Sequence, residues 1–488
     1  MKFLLEMPGD HLAARRHAAE TLLGEFLGLP LEIRVGSADR WRLCDSAANA
    51  ELILPDCFFA GTRGRWLEPA SLPQLPLARW YSEAELPEAR HLDGGLPVLA
   101  GTPNAAGCWW LQEGRSAYLG LDLFGSAFFC LSRYEEQALE ERDGHERFPA
   151  SASLALRAGL LERPLLDEYL AVLCAALLRL WPGLSLPWTR GQLRFTCDID
   201  HPYEGGSKRL SLLVRALVGD LLLRRRPQGM LARLGRVWRA RRGDYTRDPN
   251  NTFDWLMQCC EAQGAQATFY IIAGHSGGAI DGCYSLDEPF LQDLLRRIHQ
   301  RGHAIGLHGS YNSFRDAAVL RQERQALEAA CRTAGFRAEV RAVRQHYLRW
   351  DSARTPALME QSGFACDSTG GYADHIGFRY GTGRGFRLWD WGSGRPLALR
   401  EQPLIAMEWS AIGPQYMNLG RSVAALQRLQ RLKETCLRFG GDFTLLWHNS
   451  EIRSDWDRQA LTALLDEDAG SPDLEQVACE RYPAEAAQ

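Results

Sequence analysis

Leu193-Arg194-Phe195-Thr196-Cys197-Asp198-Ile199-Asp200-His201 is the stretch on which the reading of this chain turns. Leu193 to Cys197 form a short apolar strand, and the chain then delivers two carboxylates and an imidazole. Outward from it, strand and helix alternate. Asn251 to Gln263 predicts a helix stopped by Gly264, and Ala267 to Ala273 a β-branched and aromatic strand. Asp287 is positioned to cap a helix running to Arg301, with Gly302 after it. A strand follows at Ala304–Leu307, a helix at Ala317–Thr333, a strand at Ala338–Val343, a helix at Ser352–Ser362 and a late strand at Phe443–Trp447. Short links between alternating elements predict a parallel α/β structure, and the number of units suits a (β/α) barrel better than an open sheet.

In such barrels reactive groups gather where strands end. Here one strand runs into Asp198 and Asp200, one into His308, one into Arg344-Gln345-His346, and one into His448-Asn449. A single polar ending is ordinary; the convergence of carboxylate, imidazole and guanidinium points to chemistry. The two carboxylates are expected to share a site only if the strand has ended before them. A carboxylate and an imidazole can hold a divalent metal that polarises a carbonyl and acidifies water. A second carboxylate can take the proton, and a histidine can protonate a leaving amine.

At these residues the chain resembles the polysaccharide deacetylase (NodB-type) family over roughly residues 190–450. Thr196-Cys197-Asp198-Ile199-Asp200 stands at the family's T-F-D-D, Ala267-Thr268-Phe269-Tyr270 at A-T-F-F, and Gly302-His303-Ala304-Ile305-Gly306-Leu307-His308 at G-H-E-I-G-x-H. Arg344 falls at the arginine motif and Leu445-Leu446-Trp447-His448 at the late L-x-x-H. The resemblance implies a distorted (β/α) barrel and metal-assisted removal of an acyl group, an N-acetyl above all, from a sugar during surface polysaccharide biosynthesis. It makes Asp198 the base, Asp200 and His308 metal ligands of zinc or a similar ion, His448 the general acid and Arg344 the residue that orients the base. His303 matches a structural position. Tyr347 matches the backbone donor to the oxyanion, although R-x-P-x-Y is absent. The second metal histidine would lie four residues after His308, where Asn312 stands, a poorer ligand for zinc. His201 or His346 is then the candidate substitute. We also assign His346, Tyr347 and Arg379, the last in Gly377-Phe378-Arg379-Tyr380, to substrate binding. The rivals are hydrolysis of a non-sugar C–N bond and a catalytically inactive sugar-binding homologue.

The preceding half is expected to be a smaller α/β domain, residues 1–187, ahead of a barrel at 188–488 carrying an insert at 204–250. Glu51–Pro55 and Tyr118–Leu123 read as strands, and Pro164–Leu180 as a helix that ends at Trp181-Pro182-Gly183. Asp122 to Phe129, Leu131-Ser132-Arg133-Tyr134-Glu135-Glu136 and Arg147-Phe148-Pro149 resemble an uncharacterised domain that precedes such barrels in bacterial surface-polysaccharide gene sets. We read Arg133–Glu136 as an exposed helix start.

With 46% hydrophobic and 24% charged residues and a formal charge of −4, the chain excludes a bulk nucleic-acid binder, and no nucleic-acid partner is expected. Glu6 breaks the apolar run Phe3-Leu4-Leu5, and no apolar run approaches the ~20 residues of a membrane span, so a cytoplasmic location is expected. Thirteen scattered cysteines without a C-x-x-C pair read as reduced thiols rather than a finger-type zinc cage. Residues 208–247 hold twelve Lys and Arg against two Asp, interleaved with leucines and Trp238. A basic amphipathic segment of this kind reads as a contact with an anionic membrane surface at the inner face, or with a lipid- or nucleotide-linked acylated amino sugar.

Overall fold

The computed structural model describes residues 1–466 except 38, 46, 48, 187–189, 205–226 and 283; the first half of the basic insert therefore lies outside the described residues. The N-terminal part holds β1 (Phe3–Met7), β2 (Leu31–Val35), β3 (Arg40–Asp45), β4 (Glu51–Pro55), β5 (Ala78–Trp80), β6 (Leu96–Val98), β7 (Trp110–Glu113) and β8 (Ser116–Leu119). Six of these form one mixed sheet in the order β2-β1-β3-β4-β8-β7, while β5 and β6 pair separately. In β1, Phe3, Leu5 and Met7 are buried and alternate with more exposed residues, the period of a sheet with one core face. The strand expected at Tyr118–Leu123 stops at Leu119. Asp122 instead caps the helix Leu123–Leu131 by accepting the Gly125 N–H at 2.8 Å, and it also takes the N–H groups of Cys57 and Phe58.

The C-terminal part holds β9 (Leu193–Ile199), β10 (Thr268–Ile272), β11 (Ala304–Gly309), β12 (Ala342–Gln345), β13 (Cys366–Asp367), β14 (Phe386–Asp390), β15 (Arg395–Glu401), β16 (Ala406–Met407) and β17 (Phe443–Leu446). They form one nine-stranded sheet, β14-β15-β13-β12-β11-β10-β9-β17-β16. Every pairing is parallel except β14 with β15. The run from Arg395 to Met407 pairs with β13 at Arg400 and Glu401, then with β17 at Ala406 and Met407.

Boundaries move where local chemistry overrides pattern. Glu288, not Asp287, precedes the helix Pro289–Gln300, because Pro289 takes the first helical position, where a missing N–H costs nothing. The strand expected at 338–343 lies at 342–345, which carries Arg344 and Gln345 inside the sheet. The helix Ala317–Thr333 has the bounds expected, and Phe253–Ala262 and Thr355–Gln361 fall within one to three residues of theirs.

One hydrophobic cluster runs from Phe3 to Leu465 through both parts. At their junction Arg133, Glu135 and Glu136 are buried, so the exposed helix start expected there is corrected. Arg133 donates to Glu135 and Glu136 at 2.7 Å, and Arg379 makes a bidentate bond to Glu136 at 2.8 Å. Arg379 also lies 5.2 Å from the rings of Trp350 and Tyr372. Its assignment to substrate is therefore corrected: at 4% exposure, all its charge is spent joining the two parts of the chain. Among the described residues no helix is long and apolar enough to cross a membrane.

Candidate active site

The parallel register sets the site. Asp198 pairs with Tyr270, and two residues further along Ile272 pairs with His308, which pairs with Arg344. β9 continues through Ile199, so Asp198 lies on the strand and Asp200 one residue beyond it. The expectation that the strand must end first is thus overturned: residues two apart on extended chain share a face, and that spacing itself brings both carboxylates inward. Gly306 leaves room for the Tyr270 ring, which a Cβ there would meet at 2.6 Å, and Arg344 rests 4.5 Å over that ring.

Arg344 is fully buried. Its Nη1 donates to Asp198 Oδ1 at 3.0 Å and to Thr196 Oγ1 at 2.8 Å, while Nε and Nη2 donate to Ser368 O and Oγ at 2.8 Å. Burial acts against its charge, but Asp198 beside it outweighs that and raises its pKa. Asp198 is held in one orientation, and its Oδ2 lies 3.6 Å from His308 Nε2.

Three imidazoles surround Asp200. Its Oδ1 is 3.3 Å from His308 Nε2, and its Oδ2 is 3.6 Å from Nε2 of both His346 and His448. Burial pushes the Asp200 carboxyl up, yet the imidazoles, His346 foremost, hold it well below the usual range. Each ring is fixed from behind. His308 Nδ1 donates to the Arg344 carbonyl at 3.0 Å, His346 Nδ1 to Asp281 Oδ1 at 2.8 Å, and His448 Nδ1 to Glu408 Oε1 at 2.6 Å. Buried imidazoles lose charge, but Asp200 and Asp281 outweigh burial at His346 and raise its pKa to about 9. Glu408, then Asp200, raise that of His448 to about 10.

Asp200, His308 and His346 offer ligand atoms that all lie within 4.8 Å of one another. The fit to a cation can be read from Asp200 Oδ1. This oxygen is buried without a hydrogen-bond partner and faces a His308 nitrogen whose hydrogen sits on the opposite ring atom. Two acceptors that face each other are satisfied by a proton or a metal between them.

The placement of Asn312 is corrected. Its Nδ2 donates to Ser276 O at 2.8 Å and its Oδ1 accepts from Arg349 at 3.0 Å, so neither end of the amide points to Asp200. His346 stands in the cluster instead, as a candidate ligand rather than a substrate contact, because β12 ends one residue before it. His303 accepts the Ala267 N–H through Nδ1 at 3.1 Å, a structural tie.

The groups open into a pocket of about 260 Å³ lined by Asp198, Asp200, His308, His346 and His448 together with Tyr347, Trp409 and Tyr416. Tyr347 has φ 63° and ψ 11°, the left-handed region, and is 37% exposed. Sequence reasoning missed Asp281 and Glu408, both fully buried, whose work is to set the rings of His346 and His448. It also missed Arg147, which reaches the pocket from the N-terminal part.

Residues 5–182 match a family described as being of unknown function, DUF7033. No curated protein matches the chain. Among solved structures, a protein from Mycobacterium smegmatis classed as a polysaccharide deacetylase is 17% identical, with a TM-score of 0.36, covering 59% of this chain and 88% of its own. The Puue allantoinase is 14% identical, with a TM-score of 0.35, over 58% and 85%. The chitin deacetylase of the fungal pathogen Colletotrichum lindemuthianum is 13% identical, with a TM-score of 0.30, over 58% and 84%.

Proposed function

We propose that this protein is a hydrolase that removes an acyl group, an N-acetyl above all, from an amino sugar, and that its nine-stranded sheet is a distorted (β/α) barrel closed by the segment Arg395–Met407. One observation carries the reading. A carboxylate fixed by buried Arg344 stands 3.6 Å from His308 Nε2, and an imidazole fixed by buried Glu408 stands 3.6 Å from Asp200 Oδ2. Asp200, His308 and His346 would hold a divalent cation, zinc or similar, which when bound supplies Lewis acidity to a carbonyl and lowers the pKa of water. Asp198 accepts the proton of the attacking water through Oδ2 as the new C–O bond forms. His448 donates from Nε2 to the leaving nitrogen as the C–N bond breaks, giving acetate and the free amine. The Tyr347 N–H serves the oxyanion. Trp409, Tyr416 and Tyr347 give the pocket flat apolar faces suited to a pyranose ring.

An inactive binder would follow from the loss of a metal ligand at Asn312, and the place of His346 beside Asp200 and His308 argues against it. Acetate release from N-acetylated and O-acetylated sugars, and ring opening of a cyclic ureide, with Asp198→Asn as control, test the reading. Release from the first class, reduced by about 10²-fold or more in the variant, is expected. No acetate from either sugar class would sink the proposal, and ring opening of the ureide alone would favour the non-sugar rival.

We further propose contact with an anionic membrane surface through the basic insert. On its described helix, Pro227–Ala240, Leu234 is 41% and Trp238 56% exposed one turn apart, with Arg241 and Arg242 exposed beyond. Sedimentation with vesicles carrying anionic lipid, but not with neutral ones, is the expected result; equal pelleting with both, or none, overturns it.

A further inference from the structure

The N-terminal part places one turn, Asp143 to Arg147, against the pocket. The turn is closed on itself: Asp143 Oδ1 accepts the N–H groups of His145 at 2.8 Å and Arg147 at 3.0 Å. Glu146 at its corner has φ 60°. Three consecutive side chains then reach the segments that follow β11 and β12. His145 Nδ1 bonds the Tyr311 hydroxyl at 2.9 Å, and its ring packs 4.8 Å from that of Tyr347. Glu146 takes Arg315 at 2.7 Å and Arg349 at 2.8 Å. Arg147, paired with Asp143, donates Nη1 to the Tyr347 carbonyl at 2.8 Å.

The receiving surface is organised by Arg349, 5% exposed, which also donates to His145 O at 2.9 Å, Tyr311 O at 2.7 Å and Asn312 Oδ1 at 3.0 Å. Asn312, free of the cluster at Asp200, thus helps to set the arginine on which the turn seats. Next to it Tyr347 and Leu348 are consecutive left-handed residues without a glycine, at φ 63° and 53°. Such backbone persists only where its surroundings over-determine it. His346 is the neighbouring residue, so whatever holds this pair also aims a candidate ligand.

We propose that the turn Asp143–Arg147 is a positioning element of the active site: through Arg147 and Arg349 it holds the left-handed wall Tyr347–Leu348 against the pocket, which gives the DUF7033 region a catalytic purpose. The inference rests on the functional reading above for its effect on rate, but not for its effect on the wall.

The test uses the full chain with Arg147→Ala and Arg147→Lys. Hydrogen exchange reads the wall directly, since the Arg349 N–H closes it onto His346 O at 3.3 Å. Exchange in 345–350 should quicken about 10- to 100-fold in Arg147→Ala, the weight of one charged hydrogen bond, with an intermediate value in Arg147→Lys. Exchange in β9 should stay unchanged. Turnover of an acetylated substrate should fall in kcat with KM little changed, because the wall aims His346 rather than adding a contact to the substrate. Faster exchange in a chain whose wild type hydrolyses no acyl substrate would remove the enzyme reading and leave the positioning role. Unchanged exchange at 345–350, or quickening spread equally over the whole molecule in both variants, would overturn the proposal.

Discussion

Divalent-metal affinity should climb steeply with pH, and the slope should belong to His346. Its pKa is raised to about 9, because Asp200 and Asp281 outweigh burial. A metal ligand must be neutral, so binding at pH 7 displaces a proton held two units above ambient, a cost of about 2.7 kcal/mol or ~100-fold. Affinity for Co²⁺ is therefore expected to rise about tenfold per unit from pH 7 to 9 and then level. Asp281→Asn should move that rise to lower pH. It should also weaken the high-pH limit by about 10- to 100-fold, the usual weight of a partner behind a histidine ligand. The structure says why. Asp281 accepts His346 and the Tyr311 N–H on one oxygen and the Gly277 N–H on the other, so an amide leaves one donor facing its NH₂. His346→Ala should cost more than about 100-fold. Asn312→Ala, whose amide is spent on Ser276 and Arg349, should cost less than about threefold. Competition against a fluorescent chelator measures all four. A flat profile between pH 7 and 9, or equal losses in the 312 and 346 variants, would refute the assignment of His346 as ligand.

Glu408→Gln should shift the alkaline limb of kcat/KM down by more than about one unit, because His448 then loses the carboxylate that chiefly raises its pKa to about 10. The Asp200 contribution is the part a bound cation would cancel, so an unmoved limb in a pH–rate profile would count against His448 as the acid. Arg379→Ala should cost about 3 kcal/mol in urea denaturation, since it strands buried Glu136 with Arg133 alone; a loss under about 1 kcal/mol would contradict the buried junction. Stability should also fall as pH rises from 4.5 to about 7 through Glu323. Burial raises its pKa to about 7, so the folded state favours the protonated form, and that preference is lost above the folded pKa. Thermal melting of Glu323→Gln against the parent at pH 5 and 8 should show the parent's disadvantage only at pH 8.

Much of the site was legible because parallel strands carry it. Asp198, Asp200, His308, Arg344 and His448 each sit at or just past the end of an apolar run, and register does the rest. His346 reads in sequence both as a substitute ligand and as a substrate contact, because a strand at 338–343 leaves it in a loop; the two-residue shift to 342–345 sets it at the sheet's edge. Asp281 and Glu408 had no such signal. They act on the far nitrogens of histidines from a 3-10 turn, Gly278–Asp281, and a one-turn helix, Glu408–Ile412, where nothing periodic marks them. Arg379 and Arg133–Glu136 were misread for a related reason: a charged residue in a loop gives no sign in sequence that another part of the chain will cover it.

The segment Arg395–Met407 leaves one neighbour and joins another, and the next residue after it is Glu408. In the closed barrel proposed above, the carboxylate behind His448 is mounted on the seam of the sheet, whereas Asp200, His308 and His346 hang from its continuous middle. Warming that opens such a seam should reach His448 first. Such a molecule should stop turning over while it still takes up its ion, which sets an order of failure that inactivation and metal loss, followed together, would reveal.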